Sequence, residues 1–479
     1  MADSEIERLR DSIECAWEEA HKFGLDPFPT HFELVPASIM YEFASYGLPG
    51  RFSHWTHGKS YYRQKMQYDF GLSKIYELVV NTNPSYAFLM EMNNLLQNTF
   101  VAAHVFGHTD FFKNNAYFRN TSRRMIDKVS IHAERVARYE FDHGKTEVER
   151  FLDAALSIQE HVDYHLLLRE DENSAKKEQK PTQRTSEYDD LWGLDKKAKM
   201  AEEDRGKRPG KPPKFPEKPE KDILLFLMRH APHLQPWQRD ILEIVRAEML
   251  YFVPQAQTKV MNEGWASLWH SRIMRQLGER GVISDSEIIE FAKLHSGVLS
   301  PSRTSLNPYY LGFKMFEDIE RRWDNPTEEE QEKFGRKPGM GHQKIFEVRE
   351  LDNDVSFLRN YLTEDLIKDL DLYLFKKDGD EWVISEKNWE KVRDGIVASM
   401  TNFGYPYLVI DNGDYHGNRE LYIKHMFEGQ ELDLNYAEKT LQHVYTMWGR
   451  PVHLETVYEG KRILLTYDGE RSSKSTLEK

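Results

Sequence analysis

Two histidines four residues apart, in Ala102-Ala103-His104-Val105-Phe106-Gly107-His108, have the spacing to share one ligand. On a 3.6-residue helix, four steps overshoot a full turn by only about 40°. Both imidazoles then leave one face of the helix and can grip one metal ion. The preceding residues predict that helix. Asn83 can cap it, Pro84 suits its first turn, and Tyr86 to Val105 contains no Gly or Pro. Ahead of it, Ile75-Tyr76-Glu77-Leu78-Val79-Val80-Asn81 reads as a strand. A chain of 479 residues with 19 His holds some such pairs by chance, and His161/His165 is another. That second pair falls near the end of a predicted helix, where polar or cationic residues suit the dipole, and it reads as structural or surface.

Strand, turn and a helix bearing H-x-x-x-H resemble the order found in zincin metallopeptidases, whose H-E-x-x-H motif uses its Glu as general base. Here that position is Val105. A later stretch, Met261-Asn262-Glu263-Gly264-Trp265-Ala266-Ser267-Leu268-Trp269-His270, is similar to the N-E-G-F-A of gluzincin aminopeptidases. In that clan the Glu is the third ligand. The resemblance implies that His104, His108 and Glu263 hold a divalent metal, Zn²⁺ or alternatively Fe²⁺, with one coordination position open. Val105 cannot take a proton, so another base is needed, with His270 the first candidate and Glu248 the second. Alternatively water is not the nucleophile, and the site transfers an acyl group to an amine. A Glu installed at position 105 is then expected to raise hydrolysis. Gly264 in mid-helix costs roughly 1 kcal/mol against Ala, which close packing beside a metal would justify. Two His and a carboxylate also suit a non-haem iron oxygenase. A ferritin-like di-iron site wants two Glu-x-x-His motifs, and only Glu140-Phe141-Asp142-His143 fits.

The block Gly50-Arg51-Phe52-Ser53-His54-Trp55-Thr56-His57-Gly58-Lys59 reads as a packed loop. Its functional alternative is a wall of the site, with Arg51, His54, Trp55 and Lys59 contacting substrate and a cation recognising an anionic group. Asp110 is a candidate partner for a ligand histidine, or a surface or capping residue.

The elements that must position these groups follow from patterning. Helices are expected at Ser4–Phe23, Arg123–Phe141, Lys145–Leu168, Pro236–Phe252 with a break at Pro254, Gln257–Arg275, Phe313–Trp323 after a turn at Leu306–Gly312, and Asp354–Leu362. Lys344–Glu350 reads as a strand or linker. Beyond about Asp371 the pattern is mixed, giving a small αββαββ module. The expected fold class is α+β, a mainly helical, zincin-like N-terminal domain followed by that module. The expected divisions are 1–168, a charged, Pro-rich insertion or linker at 169–222, a helical continuation at 223–385, and 386–479. The net charge of −14 argues against nonspecific nucleic-acid binding. The only cysteine is Cys15, so no intrachain disulfide forms. No signal peptide and no apolar run long enough to span a membrane is found, so the expected location is cytoplasmic.

Taken together, the His104-to-Asn115 stretch, Asn262 to His270, and Arg51-Phe52-Ser53-His54-Trp55 resemble the bacterial stage V sporulation protein R (SpoVR) family over nearly the full length. The resemblance implies a cytoplasmic bacterial protein linked to spore cortex formation. It also implies association with an AAA+ serine protein kinase and its companion protein. It supplies no reaction. The residues suggest a metal-dependent transferase or hydrolase acting on an amide or acyl group of a protein or peptidoglycan-related substrate. The alternative is a catalytically degenerate zincin-like scaffold.

Overall fold

The computed structural model describes residues 3–69, 77–165, 214–301, 305–379 and 381–477. Most of the predicted insertion lies outside the described residues, whereas the helix expected to reach Leu168 already ends at Leu156. The chain divides into two compact units, Met1–Lys145 with Leu250–Tyr405, and Thr146–Met249 with Pro406–Lys479.

In the first unit a small sheet precedes the histidine helix. Its strands are β1 (Thr30–Val35), β2 (Glu77–Val80) and β3 (Ser85–Met90), in the order β1-β3-β2. β3 runs parallel to β1 and antiparallel to β2. The helix expected from Tyr86 therefore starts later, at Leu95, and ends at Asn114. Residues Ser85 to Met90 form a short, mostly apolar run. Such a run fits a central buried strand as well as a helix, and burial on both faces decides for the strand. Asn94, not Asn83, is the cap. Its side chain accepts from Gln97 N at 2.8 Å, and the Gln97 side chain accepts from Asn94 N at 3.0 Å. This reciprocal pair satisfies two backbone donors that a helix start would leave open.

The second central helix, Lys259–Glu279, packs against the histidine helix and against helix Pro308–Asp324. Its start is held by Asp354, whose carboxylate accepts from Val260 N and Met261 N, each at 2.9 Å. Glycines set both crossings. A Cβ on Gly107 would stand 2.6 Å from Ala266 Cα, and a Cβ on Gly264 would collide with the Gly312 backbone. The close packing that Gly264 serves is thus helix against helix, at the Gly312 backbone.

Several boundaries shift. Pro254 lies inside helix Pro236–Gln257, and the break falls at Thr258, whose hydroxyl bonds the Pro254 carbonyl at 2.7 Å. Helix Pro308–Asp324 begins inside the predicted turn, because Asn307 Oδ1 accepts from Tyr309 N and Pro308 suits the first turn. Lys344–Glu350 is helical, within Gly341–Leu351, since Ile345 and Val348 bury one face three residues apart. The Arg51 block is only partly a loop, because helix Trp55–Asp69 starts within it. A two-stranded ribbon, β4 (Leu374–Asp378) and β5 (Glu381–Glu386), precedes helix Trp389–Met400.

In the second unit five strands lie in the order β10-β9-β8-β7-β6. They are β6 (Leu408–Tyr415), β7 (Glu420–His425), β8 (Val452–Tyr458), β9 (Lys461–Tyr467) and β10 (Ser472–Thr476). β7 and β8 are parallel, so a crossover must join them. Helix Leu434–Trp448 is that crossover, capped by Asp433 and closed by Gly449 in the left-handed region. Among the residues preceding the sheet, 214–222 are ordered. Glu220 bridges to Ile410, and Asp222 caps helix Ile223–His230 while pairing with Arg246. The fold is α+β as expected. No helix among the described residues is long and apolar enough to cross a membrane.

The helix crossings generate a stability test. Gly264→Ala gains helix propensity of roughly 1 kcal/mol but drives a methyl into the facing backbone, and overpacking costs about 1–3 kcal/mol. Gly297→Ala, in helix Asp285–Val298, meets nothing within 4 Å. Denaturant unfolding is expected to show the first variant weakened and the second unchanged or stabilised. Equal stability of the two would refute the crossing argument.

Candidate metal centre

His104 and His108 project from the buried histidine helix, each only 4% exposed. Glu263 comes from helix Lys259–Glu279, and Glu77 opens strand β2. One ligand atom from each of these four residues lies within 4.8 Å of all the others. His104 Nε2 stands 3.2 Å from Glu77 Oε1 and 3.6 Å from Glu263 Oε2, and His108 Nε2 stands 3.4 Å from each. A tetrahedral shell with bonds of about 2.0–2.2 Å has edges of roughly 3.3–3.6 Å. The four histidine–carboxylate separations therefore match four of the six edges of such a shell. His104 Nε2 and Glu263 Oε2 are buried with no hydrogen-bond partner, although such atoms are normally satisfied.

The far side of each ring is held. His108 Nδ1 donates to Asn262 Oδ1 at 2.9 Å, which leaves Nε2 aimed at the centre. His104 Nδ1 lies 2.7 Å from His270 Nδ1, and His270 Nε2 lies 2.8 Å from His295 Nδ1. If His104 presents a lone pair at Nε2, its Nδ1 must donate to His270. His270 then accepts there and donates from Nε2 to His295. One direction of donation satisfies the chain. Burial and the neighbouring histidines push the His270 pKa well below its ordinary value, so this ring stays neutral and fits that scheme.

Electrostatics bind the four groups to one another. Burial alone would raise the Glu77 and Glu263 carboxyls, but His104 and His108 outweigh it and hold both below the usual carboxylate range. Burial would lower His108, yet Glu263 and Glu77 push it up to about 10, and they raise His104 as well. The ring of Tyr309 stacks near His104, centroids 6.0 Å apart. Burial pushes the Tyr309 hydroxyl up, and the charges of Glu263 and Glu77 add to that.

The sequence-predicted residues distribute unevenly. His104, His108 and Glu263 come together. His270 stands behind the His104 ring with both nitrogens engaged, in an orienting position rather than at the centre. Glu248 is fully buried on helix Pro236–Gln257, in the part assigned to the second unit, and is not one of the gathered groups. Arg51 donates to the Tyr46 carbonyl, and His54 Nδ1 pairs with Thr56 Oγ1, so both are tied to their own segment. Trp55 and Lys59 are exposed at the head of their helix. Asp110 does not bond a ligand histidine. Fully buried, it accepts from Trp265 Nε1 and from Asp26 N, each at 2.8 Å, and so ties the two central helices together. Val105 is fully buried within the apolar core. Sequence reasoning missed Glu77, Tyr309, Asn262 and His295. The available signal was that Glu77 opens the strand preceding the histidine helix and Asn262 adjoins Glu263.

Comparison with known proteins identifies the family of the chain. The SpoVR like protein family model matches residues 3–405, and the SpoVR-like C-terminal domain model matches 406–459. The division between them coincides with the boundary at Tyr405/Pro406 between the two compact units. No solved structure matches. The Escherichia coli (strain K12) protein described as "Uncharacterized protein YcgB" is 30% identical over 473 residues, covering 93% of this chain and 91% of that relative. With both models matched in order and a relative aligned nearly end to end, the chain belongs to the sporulation-related SpoVR family.

Proposed function

We propose that this chain is a divalent-metal-dependent enzyme acting on an amide or acyl group, with His104, His108 and Glu263 as metal ligands and Glu77 as the working carboxylate beside them. The observation that carries this reading is the spacing of the four donor atoms, 3.2–3.6 Å along the histidine–carboxylate edges. The rings held from behind by Asn262 and His270 support it, because orienting partners of that kind accompany metal-ligating histidines. The two carboxylates keep side-chain exposures of 20% and 16%, so a substrate has an approach. Zn²⁺ there would polarise a carbonyl, and Fe²⁺ also suits the donor set. Glu77 can take a proton from an attacking water or amine. Tyr309, held protonated, can donate a hydrogen bond to a developing oxyanion. Of the four residues expected to contact substrate, Trp55 and Lys59 are exposed, and these are the ones proposed to meet it.

Acyl transfer was favoured over hydrolysis because Val105 offers no proton acceptor. Glu77 supplies one from a strand, so the same base can serve water or an amine. The family context makes spore-protein or peptidoglycan-related substrates the natural ones to assay.

One observation favours the scaffold reading. Glu77 stands as close to the two histidines as Glu263 does, so it can close the shell as a fourth ligand, and closed shells mark structural sites. In that case the chain would serve to recruit partners such as the AAA+ serine protein kinase.

Elemental analysis of the purified chain is expected to find stoichiometric metal, with one equivalent lost in a His104→Ala, His108→Ala double variant; an unchanged metal content in that variant would sink both readings. Glu77→Gln separates them. As base, its loss leaves metal bound and lowers turnover of an amide or ester probe by roughly 10²–10⁴-fold. As fourth ligand, its loss releases the metal. Val105→Glu is now expected to destabilise the fold, by about 3–5 kcal/mol for an uncompensated buried charge, rather than to activate hydrolysis. A stable and more hydrolytic variant would show that position 105 reaches the centre after all.

A further inference from the structure

A second group of imidazoles and a carboxylate gathers in the C-terminal sheet. His453 on β8 pairs with Tyr422 on β7, so it shares a face with Glu420, two residues earlier on the same strand. His416 lies in the turn between β6 and β7 and reaches the same carboxylate. Glu420 Oε2 is 3.0 Å from His416 Nδ1 and 3.0 Å from His453 Nε2. The three ligand atoms lie within 4.8 Å of one another.

We propose that His416, Glu420 and His453 form a site for a divalent transition metal, independent of the His104 centre. The bland account is a carboxylate pinning two N–H donors. Three features go further. First, two imidazole nitrogens and one carboxylate oxygen meeting at a point form a two-histidine, one-carboxylate set with positions left open, and imidazoles select Zn²⁺-like ions over Mg²⁺ or Ca²⁺. Second, the far nitrogen of His453 is already held, with Nδ1 2.8 Å from Thr466 Oγ1. A hydroxyl can donate or accept, so His453 can move its proton to Nδ1, donate to Thr466 and offer a lone pair at Nε2 without losing that bond. His416 makes the same exchange, moving its proton to its other nitrogen. Both rings stay neutral, and the cation replaces two shared protons with no net proton release. Third, His416 adopts a positive φ of 58°, an uncommon conformation for a residue other than glycine. It presents a side chain that is 57% exposed, while Glu420 and His453 are 16% and 8% exposed. The site is thus anchored on the buried side and reached by solvent on the other.

The test is equilibrium dialysis of the metal-stripped full chain against Zn²⁺, counting bound ions. His416→Ala removes a ligand at an exposed position and endangers the fold least. Glu420→Gln keeps an acceptor for the rings but removes the charge. Each is expected to weaken one class of Zn²⁺ binding by more than the ~10–100-fold that loss of an orienting partner costs. The class abolished by His104→Ala, His108→Ala should remain intact. Unchanged Zn²⁺ stoichiometry and affinity in His416→Ala, with the fold confirmed by circular dichroism, overturns the proposal. So does an unchanged Glu420→Gln.

Discussion

The contact between helices Leu95–Asn114 and Lys259–Glu279 is the constraint on which the candidate centre depends. Gly107 stands one residue before His108, and Ala266 stands three after Glu263. A Cβ at position 107 would come within 2.6 Å of Ala266 Cα. Small residues at the crossing therefore fix how far Glu263 reaches toward the two imidazoles. Metal–ligand distances tolerate about ±0.2 Å, so a crossing widened by one methyl would separate the donors. The same helix meets Pro308–Asp324 at Gly264 and Gly312, which brings Tyr309 beside the histidines. Asp110 and Asp354 then lock the assembly, the first through Trp265 and the second by capping the Glu263 helix.

Charge balance explains why four such groups tolerate one another. Two carboxylates sharing a mostly buried site repel and would drive up each other's pKa. Here the two imidazoles reverse that outcome and hold both carboxyls low. Two imidazolium charges or one dication neutralise the pair equally. Both forms direct Nδ1–H outward to Asn262 and to the His270–His295 chain; what differs is Nε2, which carries a proton in the imidazolium and offers a lone pair to a cation in the neutral ring.

The parts legible in the sequence were those governed by local signals. Helix Leu434–Trp448, the second helix of the expected αββαββ module, is marked at both ends, by a capping Asp433 and by Gly449. The His104/His108 spacing survives a misplaced helix start, because residues four apart share a face wherever the helix begins. The start itself was misread because Ser85 to Met90 carries no period that separates strand from helix. Glu77 was read only as a strand residue. Its place beside the histidines comes from the pairing of β2 with β3, the strand leading into the histidine helix, and strand pairing is a non-local fact. Tyr309 was hidden for a related reason. A helix start at Asn307-Pro308 looks like a turn until its cap is visible.

The origin of the carboxylate also shapes the proposed chemistry. In an H-E-x-x-H helix the base follows its ligand in sequence and moves with it. Here position 105 serves the apolar core, and the second carboxylate arrives from an edge strand, so ligand placement and base placement are set by different elements. Glu77 and Glu263 stand at nearly equal distances from the imidazoles, which leaves their division of labour to whatever breaks the symmetry. Tyr309 does so, since its hydroxyl hydrogen-bonds Glu263. A donor beside Glu263 restrains that carboxylate in one orientation, as a ligand requires. On the proposed reading the base is then Glu77, which comes from the first residue of a strand rather than from the ligand helix.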